Sequence, residues 1–142
     1  MEISEVKRRI QQTIEAAKRA AAERRGRVDR AARDYDAFLE RIAVPIFRQV
    51  SNVLKSENRA FTVFTPAGSV RLMSDRFGDD FIELALDSTG AEPLVMGHTS
   101  RGRGRRVVES ERVIGSGNPG ELTEEDVLSF LAKELEPFVE KG

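Results

Sequence analysis

The chain contains no cysteine and only one histidine among its 142 residues. Without cysteine, neither a disulfide framework nor a metal site built on thiolates is possible. Any catalytic Ser-His-Asp or similar arrangement would have to use His98. The sequence also lacks the Gly-x-Ser-x-Gly, His-Glu-x-x-His and phosphate-loop motifs of common enzymes. We therefore expect a non-enzymatic protein and expect neither a cofactor nor a bound metal.

Long hydrophobic runs are also missing. No stretch reaches the roughly 18 apolar residues of a membrane span, and the first residues lack the apolar core of a signal peptide. We therefore expect a cytoplasmic protein without a membrane partner. Charged residues make up 33% of the chain and hydrophobic residues 39%, a large polar surface for one small core. This balance favours one domain with an elongated extension over a sphere.

The first part of the chain, residues 1–57, has the pattern of one long amphipathic helix. Its apolar positions recur almost entirely at spacings of three and four, which is typical of a narrow stripe on a helix. They are Ile3, Val6, Ile10, Ile14, Ala17, Ala21, Val28, Ala32, Tyr35, Leu39, Ile42, Ile46, Val50 and Val53. The first half of this stripe is thin and the second half is widened by larger side chains. We expect the second half to pack on the rest of the protein.

Two residues interrupt the helical pattern. Gly26 costs roughly 1 kcal/mol relative to alanine in a helix interior and is interpreted as a soft spot. Pro45 removes one backbone hydrogen bond and crowds the carbonyl four residues earlier. It therefore marks either a kink or the first turn of a second helix. The apolar stripe continues through Pro45, which favours the kink.

The thin half of the stripe is the predicted oligomer interface. A helix with so little apolar surface of its own is unlikely to be stable when exposed, and a seam of this period can supercoil with a second helix. The predicted interface residues are Ile3, Val6, Ile10, Ile14, Ala17 and Ala21. The expected partner is another copy of the chain, giving a homodimer or higher oligomer, and the sequence leaves open whether the helices run parallel or antiparallel.

After residue 57 the apolar pattern changes from helical to alternating. Five short strands separated by turns are predicted at residues 60–65, 69–74, 80–88, 92–100 and 105–114. Short connections imply an antiparallel meander. In the third strand Ile82, Leu84 and Leu86 are expected to face the core. The polar fifth strand suits a protected sheet edge.

A final helix is predicted after the flexible loop at residues 115–120. Thr123 is the expected N-cap, and Leu122 with Val127 forms a hydrophobic staple. Pro137 should end this helix or bend its last turn. The predicted fold is therefore α+β, with a coiled-coil-like helical arm at 1–57 and a sheet covered by a C-terminal helix at 58–142.

The most suggestive local motif is the segment of four arginines and two glycines at residues 101–106, predicted as a tight connection at 101–104 leading into the fifth strand. Arginine can bind a phosphate through two parallel hydrogen bonds, and glycine lets a backbone approach closely. The residues that would contact phosphate are Arg101, Arg103, Arg105 and Arg106. The alternative is a charged turn whose glycines serve only the hairpin. No aromatic residues interleave with the motif as in many single-strand binders.

Other polar clusters are interpreted as structural. His98 shares a strand face with Leu94 and Met96, so a packed histidine is favoured over a catalytic one. Asp75, Asp79 and Asp80 crowd one loop, but their spacing does not match a calcium loop.

Charge is distributed unevenly along the chain. Residues 1–34 carry ten basic and six acidic side chains, whereas residues 107–142 carry three basic and nine acidic ones. This asymmetry can direct head-to-tail association, although a solvated helix face is the simpler interpretation.

The leading function predicted from the sequence is an interaction or scaffolding protein that self-associates through its N-terminal helix. The alternative is a nucleic-acid-associated protein that uses the arginine hairpin and the basic arm.

Overall fold

The fold was analysed in a computed structural model, which describes residues 1–140. The chain forms a long N-terminal helix, a five-stranded antiparallel sheet and a C-terminal helix, confirming the α+β prediction. The long helix comprises α1 (Ile3–Phe38), a π-helical turn (Leu39–Ala43) and α2 (Val44–Ser56). The strands are β1 (Phe61–Phe64), β2 (Ser69–Ser74), β3 (Phe81–Asp87), β4 (Leu94–Arg103) and β5 (Arg106–Val113), and the last helix is α3 (Glu124–Glu140).

The irregularity predicted at Pro45 lies just before it, as the π-helical turn. The N–H of Val44 bonds to the carbonyl of Leu39, five residues earlier instead of four. This wider turn accommodates a proline at the start of α2, where a missing N–H is tolerated. The chain stays helical from Ile3 to Ser56, so Pro45 does not split the helix.

The π turn also determines which side chains face the sheet. Tyr35 and Phe38 are buried before it, Ala43 is buried at its end, and Ile46, Phe47 and Leu54 are buried after it. The spacing of five between Phe38 and Ala43 would rotate Ala43 by about 140° away from Phe38 in a regular α-helix. One extra residue in the turn removes most of this rotation. Both halves therefore present one continuous face to the sheet.

The sheet has the strand order β1-β2-β3-β4-β5, with every neighbouring pair antiparallel. The register places Val63, Leu72 and Ile82 in one row and Val70 with Leu84 in the next. Except for Val63, which is half-buried, these side chains are fully buried beneath the helices, and Leu86 packs at the margin of the same core. The predicted facing of β3 is therefore confirmed.

The C-terminal helix is positioned on the sheet by one close contact and one polar anchor. The ring of Phe130 lies directly over Gly97, where an added Cβ would be 2.1 Å from the ring's Cζ atom. One turn later the buried carboxylate of Glu134 accepts hydrogen bonds from Thr99 Oγ1 at 3.1 Å and Arg112 Nε at 2.9 Å. These contacts fix the position of α3 along β4 and β5.

Specific capping residues end α2 and begin α3. Asn58 has a φ of 61°, and the bonds from its N–H to Lys55 and from the Arg59 N–H to Leu54 form a Schellman motif. Thr123 caps α3 through its Oγ1, which accepts from the N–H of Asp126. Pro137, however, does not end α3, because the helix runs on to Glu140.

Tyr35 anchors the long helix to the turn between β1 and β2. Its hydroxyl donates a hydrogen bond of 2.7 Å to the carbonyl of Gly68. Burial, together with the nearby carboxylates of Asp36 and Glu83, raises the pKa of Tyr35 above its ordinary value. The hydroxyl therefore stays protonated and remains a donor even at alkaline pH, where an ordinary tyrosine begins to ionise.

Replacing Leu84 tests the facing of the central strand. Leu84 is fully buried in the middle of β3, so Leu84→Ala should leave a cavity and lower the free energy of unfolding by roughly 2–5 kcal/mol. Urea unfolding followed by circular dichroism measures this loss. A loss well below about 1 kcal/mol would contradict the facing described here.

Replacing Gly97 tests the position of α3. Gly97→Ala places a methyl group against Phe130 and should cost about 1–3 kcal/mol, as overpacking does. Phe130→Leu in the same chain should relieve part of this cost, because the smaller side chain makes room. A double-mutant cycle of urea unfolding measures the coupling, and strictly additive costs would contradict the contact.

Candidate functional site

The most exposed apolar surface of the molecule is the N-terminal part of α1. The first buried side chain of this helix is Tyr35, so residues 3–34 form an arm at the surface. Four large apolar side chains lie along one side of this arm, and their exposed fractions are 87% for Ile3, 46% for Val6, 55% for Ile10 and 48% for Ile14. The smaller predicted interface residues continue this line, Ala17 exposed and Ala21 half-buried.

The other sides of the arm are charged. Glu5 accepts hydrogen bonds from the guanidinium groups of Arg8 and Arg9, at 2.5 and 2.9 Å. Such exposed pairs contribute little stability, typically below about 1 kcal/mol. The arm therefore has an apolar stripe that no other part of residues 1–140 covers, and a solvated polar remainder.

The arginine segment differs from the predicted tight connection at residues 101–104. Strand β4 continues through Arg103, and the turn contains only Gly104 and Arg105. Gly104 has a φ of 64°, which suits the first position of a two-residue type II′ turn. Pairing with β5 overrides the low strand preference of the arginines and glycines. Three residues of β4 thus extend beyond Ser100, the last β4 residue paired with β3.

The register brings three of the four arginines to one face of this projecting hairpin. Arg101 and Arg103 alternate with Gly102 along β4, and Arg106 lies directly opposite Arg103. This is the face that carries α3, and Arg101 and Arg103 line a shallow depression with Pro137 and Glu140. Arg105 occupies the turn itself. The predicted phosphate-contacting residues are therefore close together, and Glu140 lies beside Arg101 and Arg103.

A second group of cationic side chains lies at this end of the sheet. It is far from the arginine segment in sequence, and the strand order brings the two together. Arg59, Arg76 and the half-exposed Phe77 line one depression with Asp80. The Asp80 carboxylate accepts a 2.7 Å hydrogen bond from the N–H of Gly102 in the hairpin. In a meander, the β2–β3 and β4–β5 connections lie at the same end of the sheet, so the predicted strand order already contained this signal.

His98 lies on the face of the sheet opposite the helices. Its ring packs edge-on against Phe81 with 5.5 Å between centroids, and its Nε2 is 3.7 Å from Glu109. The nearby Ser100 hydroxyl donates to the carbonyl of Asp79 at 2.7 Å. These contacts describe a packed histidine and give it no nucleophile to activate.

The acidic loop is held by hydrogen bonds within the fold. Asp75 accepts from Thr62 Oγ1 at 2.6 Å, and Asp80 accepts from Gly102 as described above. Across residues 1–140, no cluster of three or more histidine or acidic side chains is arranged to hold a metal ion. Within the same range, no helix is both long and apolar enough to cross a membrane.

Comparisons of the chain with protein-family models, with curated proteins and with solved structures found no match. A functional proposal therefore has to rest on this chain's own surfaces. Two surfaces have the required chemistry: the exposed apolar stripe of the arm and the arginine-rich end of the sheet.

Proposed function

We propose that the protein is a non-enzymatic interaction module that self-associates through its N-terminal arm. The observation that carries the proposal is the exposure of Ile3, Val6, Ile10 and Ile14 along one side of a helix that extends beyond the core. Exposed apolar patches of this kind mark interaction surfaces in soluble proteins. The proposed setting is the cytoplasm, because a chain without cysteine needs no oxidising compartment.

The energetic argument favours association over an isolated arm. Helix propensity alone stabilises a helix in water only marginally, and most helical stability comes from packing an apolar face. Complete burial of one isoleucine or valine contributes about 1.5–3 kcal/mol. Burying the four large side chains of the stripe would therefore supply several times that amount. Part of this gain is offset by the entropy lost on association.

The arm stripe is tested by introducing charge into it. Ile10→Asp with Ile14→Asp should lower the mass in solution to that of one 15.9 kDa chain, because two carboxylates would be buried in the interface. Light scattering measures the mass, and circular dichroism should show that the sheet remains folded. A strict monomer for the unaltered chain at high micromolar concentration would contradict the proposal.

The matched control changes the charge equally on the other side of the arm. Gln12→Asp with Ala16→Asp repeats the spacing of four, and each position is two residues, or about 200° around the helix, from an isoleucine. This variant should keep the mass of the unaltered protein. Loss of association in both variants would mean that net charge, and not the stripe, controls the mass.

The second candidate function is contact with nucleic acid at the arginine-rich end of the sheet. One observation favours it: the fold places Phe77, Arg76 and Arg59 beside the arginine hairpin. An exposed aromatic ring beside several arginines is an arrangement that single-strand binders use for stacking and backbone contact. Acidic side chains at the same end, including Glu140 and Asp79, reduce the local positive charge. We therefore rank this function second.

The nucleic-acid proposal makes a quantitative prediction about salt. If Arg101, Arg103, Arg105 and Arg106 contact four phosphates of duplex DNA, log affinity against log salt should have a slope of about −3.6. Replacing all four with serine should remove most of this slope, because each lost contact releases no counterion. Fluorescence anisotropy with a labelled duplex at several salt concentrations measures it.

The basic arm provides the control for that measurement. The control variant replaces four arginines of the arm with serine: Arg19, Arg24, Arg25 and Arg27. It removes the same amount of positive charge as the hairpin variant, but from the N-terminal arm. This variant should retain the slope if the hairpin carries the contacts. If the unaltered chain binds no nucleic acid at low salt, the second function is excluded.

A further inference from the structure

A second exposed apolar surface lies between α2 and α3, on the side facing away from the sheet. It is a groove of about 310 Å³ with almost entirely apolar walls. Its walls are formed by Ile46, Gln49, Val50, Val53, Leu54, Leu128, Ala132 and Leu135. Val53 is 61% exposed and Leu128 is 45% exposed, so both walls reach solvent. An apolar groove between two helices is the kind of surface that receives the apolar face of a third, amphipathic helix in helix-in-groove recognition.

The π turn creates the α2 wall of this groove. It rotates Phe47 and Leu54 onto the face that packs against the sheet. Val50 and Val53, which follow the turn in the stripe, are thereby directed to the side, towards α3, while the buried Ile46 and Leu54 border both the core and the groove. The sequence predicts one continuous apolar stripe along the long helix. In the structure, this stripe is divided between the core and the groove.

The apolar positions of the arm and of the groove wall are related by a symmetric spacing. Ile3 and Val53 are equally distant from Val28 along the helix, and so are Val6 and Val50. The same holds for Ile10 with Ile46 and for Ile14 with Ile42. Two copies of the helix placed antiparallel, with their Val28 residues opposite each other, therefore place each arm level with the partner's α2 along the helix axis, where the π turn has directed Val50 and Val53 towards α3. An isologous dimer has this reciprocity, in which each residue pair occurs twice.

Charge also favours this arrangement. Residues 124–140 of α3 carry six acidic side chains and one lysine, whereas residues 3–14 of the arm carry three basic side chains and one acidic one. Glu125 and Glu136 lie one helical turn from the groove residues Leu128 and Ala132. Lys7 and Lys18 lie one turn from the arm residues Ile10 and Ile14 on one flank of the stripe. A basic-flanked helix beside an acidic wall is attractive and suppresses pairing between like-charged surfaces.

We propose that the protein forms a two-fold antiparallel dimer in which residues 3–14 of each arm occupy the α2–α3 groove of the other copy. This inference rests on the proposed self-association and names the surface that receives the arm. Ile3–Ser56 spans about 80 Å at the rise of an α-helix, so the two sheets lie at opposite ends of the paired helices. Each dimer buries two arms and two grooves.

Cysteine cross-linking tests the direction and register directly, because the chain has no cysteine of its own. Two single variants are made in the full chain, Ile3→Cys and Val53→Cys, at strongly exposed positions. The two proteins are mixed, allowed to exchange subunits and oxidised. The mixture should give a disulfide-linked dimer joining one chain of each kind, at least tenfold more than either variant gives alone.

Each alternative outcome is distinct. Parallel arms in register would cross-link Ile3→Cys with itself and give no enrichment in the mixture, which would overturn the antiparallel arrangement. Val107→Cys, at an exposed position in the arginine hairpin, is the control partner and should not cross-link with Ile3→Cys. Equal cross-linking to both partners would indicate random collision and would also overturn the proposal.

A groove variant separates this inference from self-association itself. Leu128→Asp should halve the mass measured by light scattering, whereas Ser129→Asp, at the neighbouring exposed position, should leave it unchanged. Circular dichroism checks that both variants fold, since neither side chain belongs to the buried core. If Leu128→Asp remains a dimer while the variant with Ile10→Asp and Ile14→Asp is a monomer, the arms bind each other and the groove is not their site. If the unaltered chain is a monomer, both proposals fail.

Discussion

The hydrogen bond from the Val44 N–H to the Leu39 carbonyl determines how the long helix meets the rest of the protein. A regular α-helix through this segment would direct Tyr35 and Phe38 to one side and Phe47 to another. Only one of these groups could then pack on the sheet. The wider turn aligns both groups and accommodates Pro45, which has no N–H to donate. The core, the exit direction of the arm and the α2–α3 groove all depend on this single turn.

Polar contacts fix the position of α3 along the sheet, which the apolar core alone does not determine. Apolar burial is non-directional, so α3 could slide along the sheet without much loss of buried area. Glu134 prevents this, because its nearly buried carboxylate would be costly without Thr99 and Arg112 as donors. The glycine at residue 97 adds a steric constraint, since only the absence of a side chain admits Phe130. Together these contacts place Leu128 beside α2, where it forms the second wall of the groove.

The order and type of the elements were predictable from the sequence, because periodicity and turn residues are local signals. Three features were not. The apolar stripe keeps spacings of three and four through Pro45, so the sequence pattern does not indicate the π turn. The structure reveals it, because both Phe38 and Ala43 are buried. Arg101 and Arg103 have little strand preference and are extended only because β5 pairs with them. Phe77 is far from the arginine motif in sequence, and the strand order brings it to the end of the sheet where Asp80 bonds to Gly102.

The two exposed apolar surfaces are linked by the same structural feature. Without the extra residue in the π turn, Val50 and Val53 would lie closer to the line of the arm stripe, and the helix would carry one seam along its whole length. Such a seam allows parallel as well as antiparallel pairing, because its apolar residues have the same spacing in both directions along the helix. Turning Val50 and Val53 towards α3 makes the two ends of the helix different. In the proposed dimer, the receiving end is a groove flanked by acidic side chains of α3, and the inserting end is a basic-flanked stripe. Under this proposal, a local change in helix geometry gives a nearly repetitive helix a preferred direction of pairing.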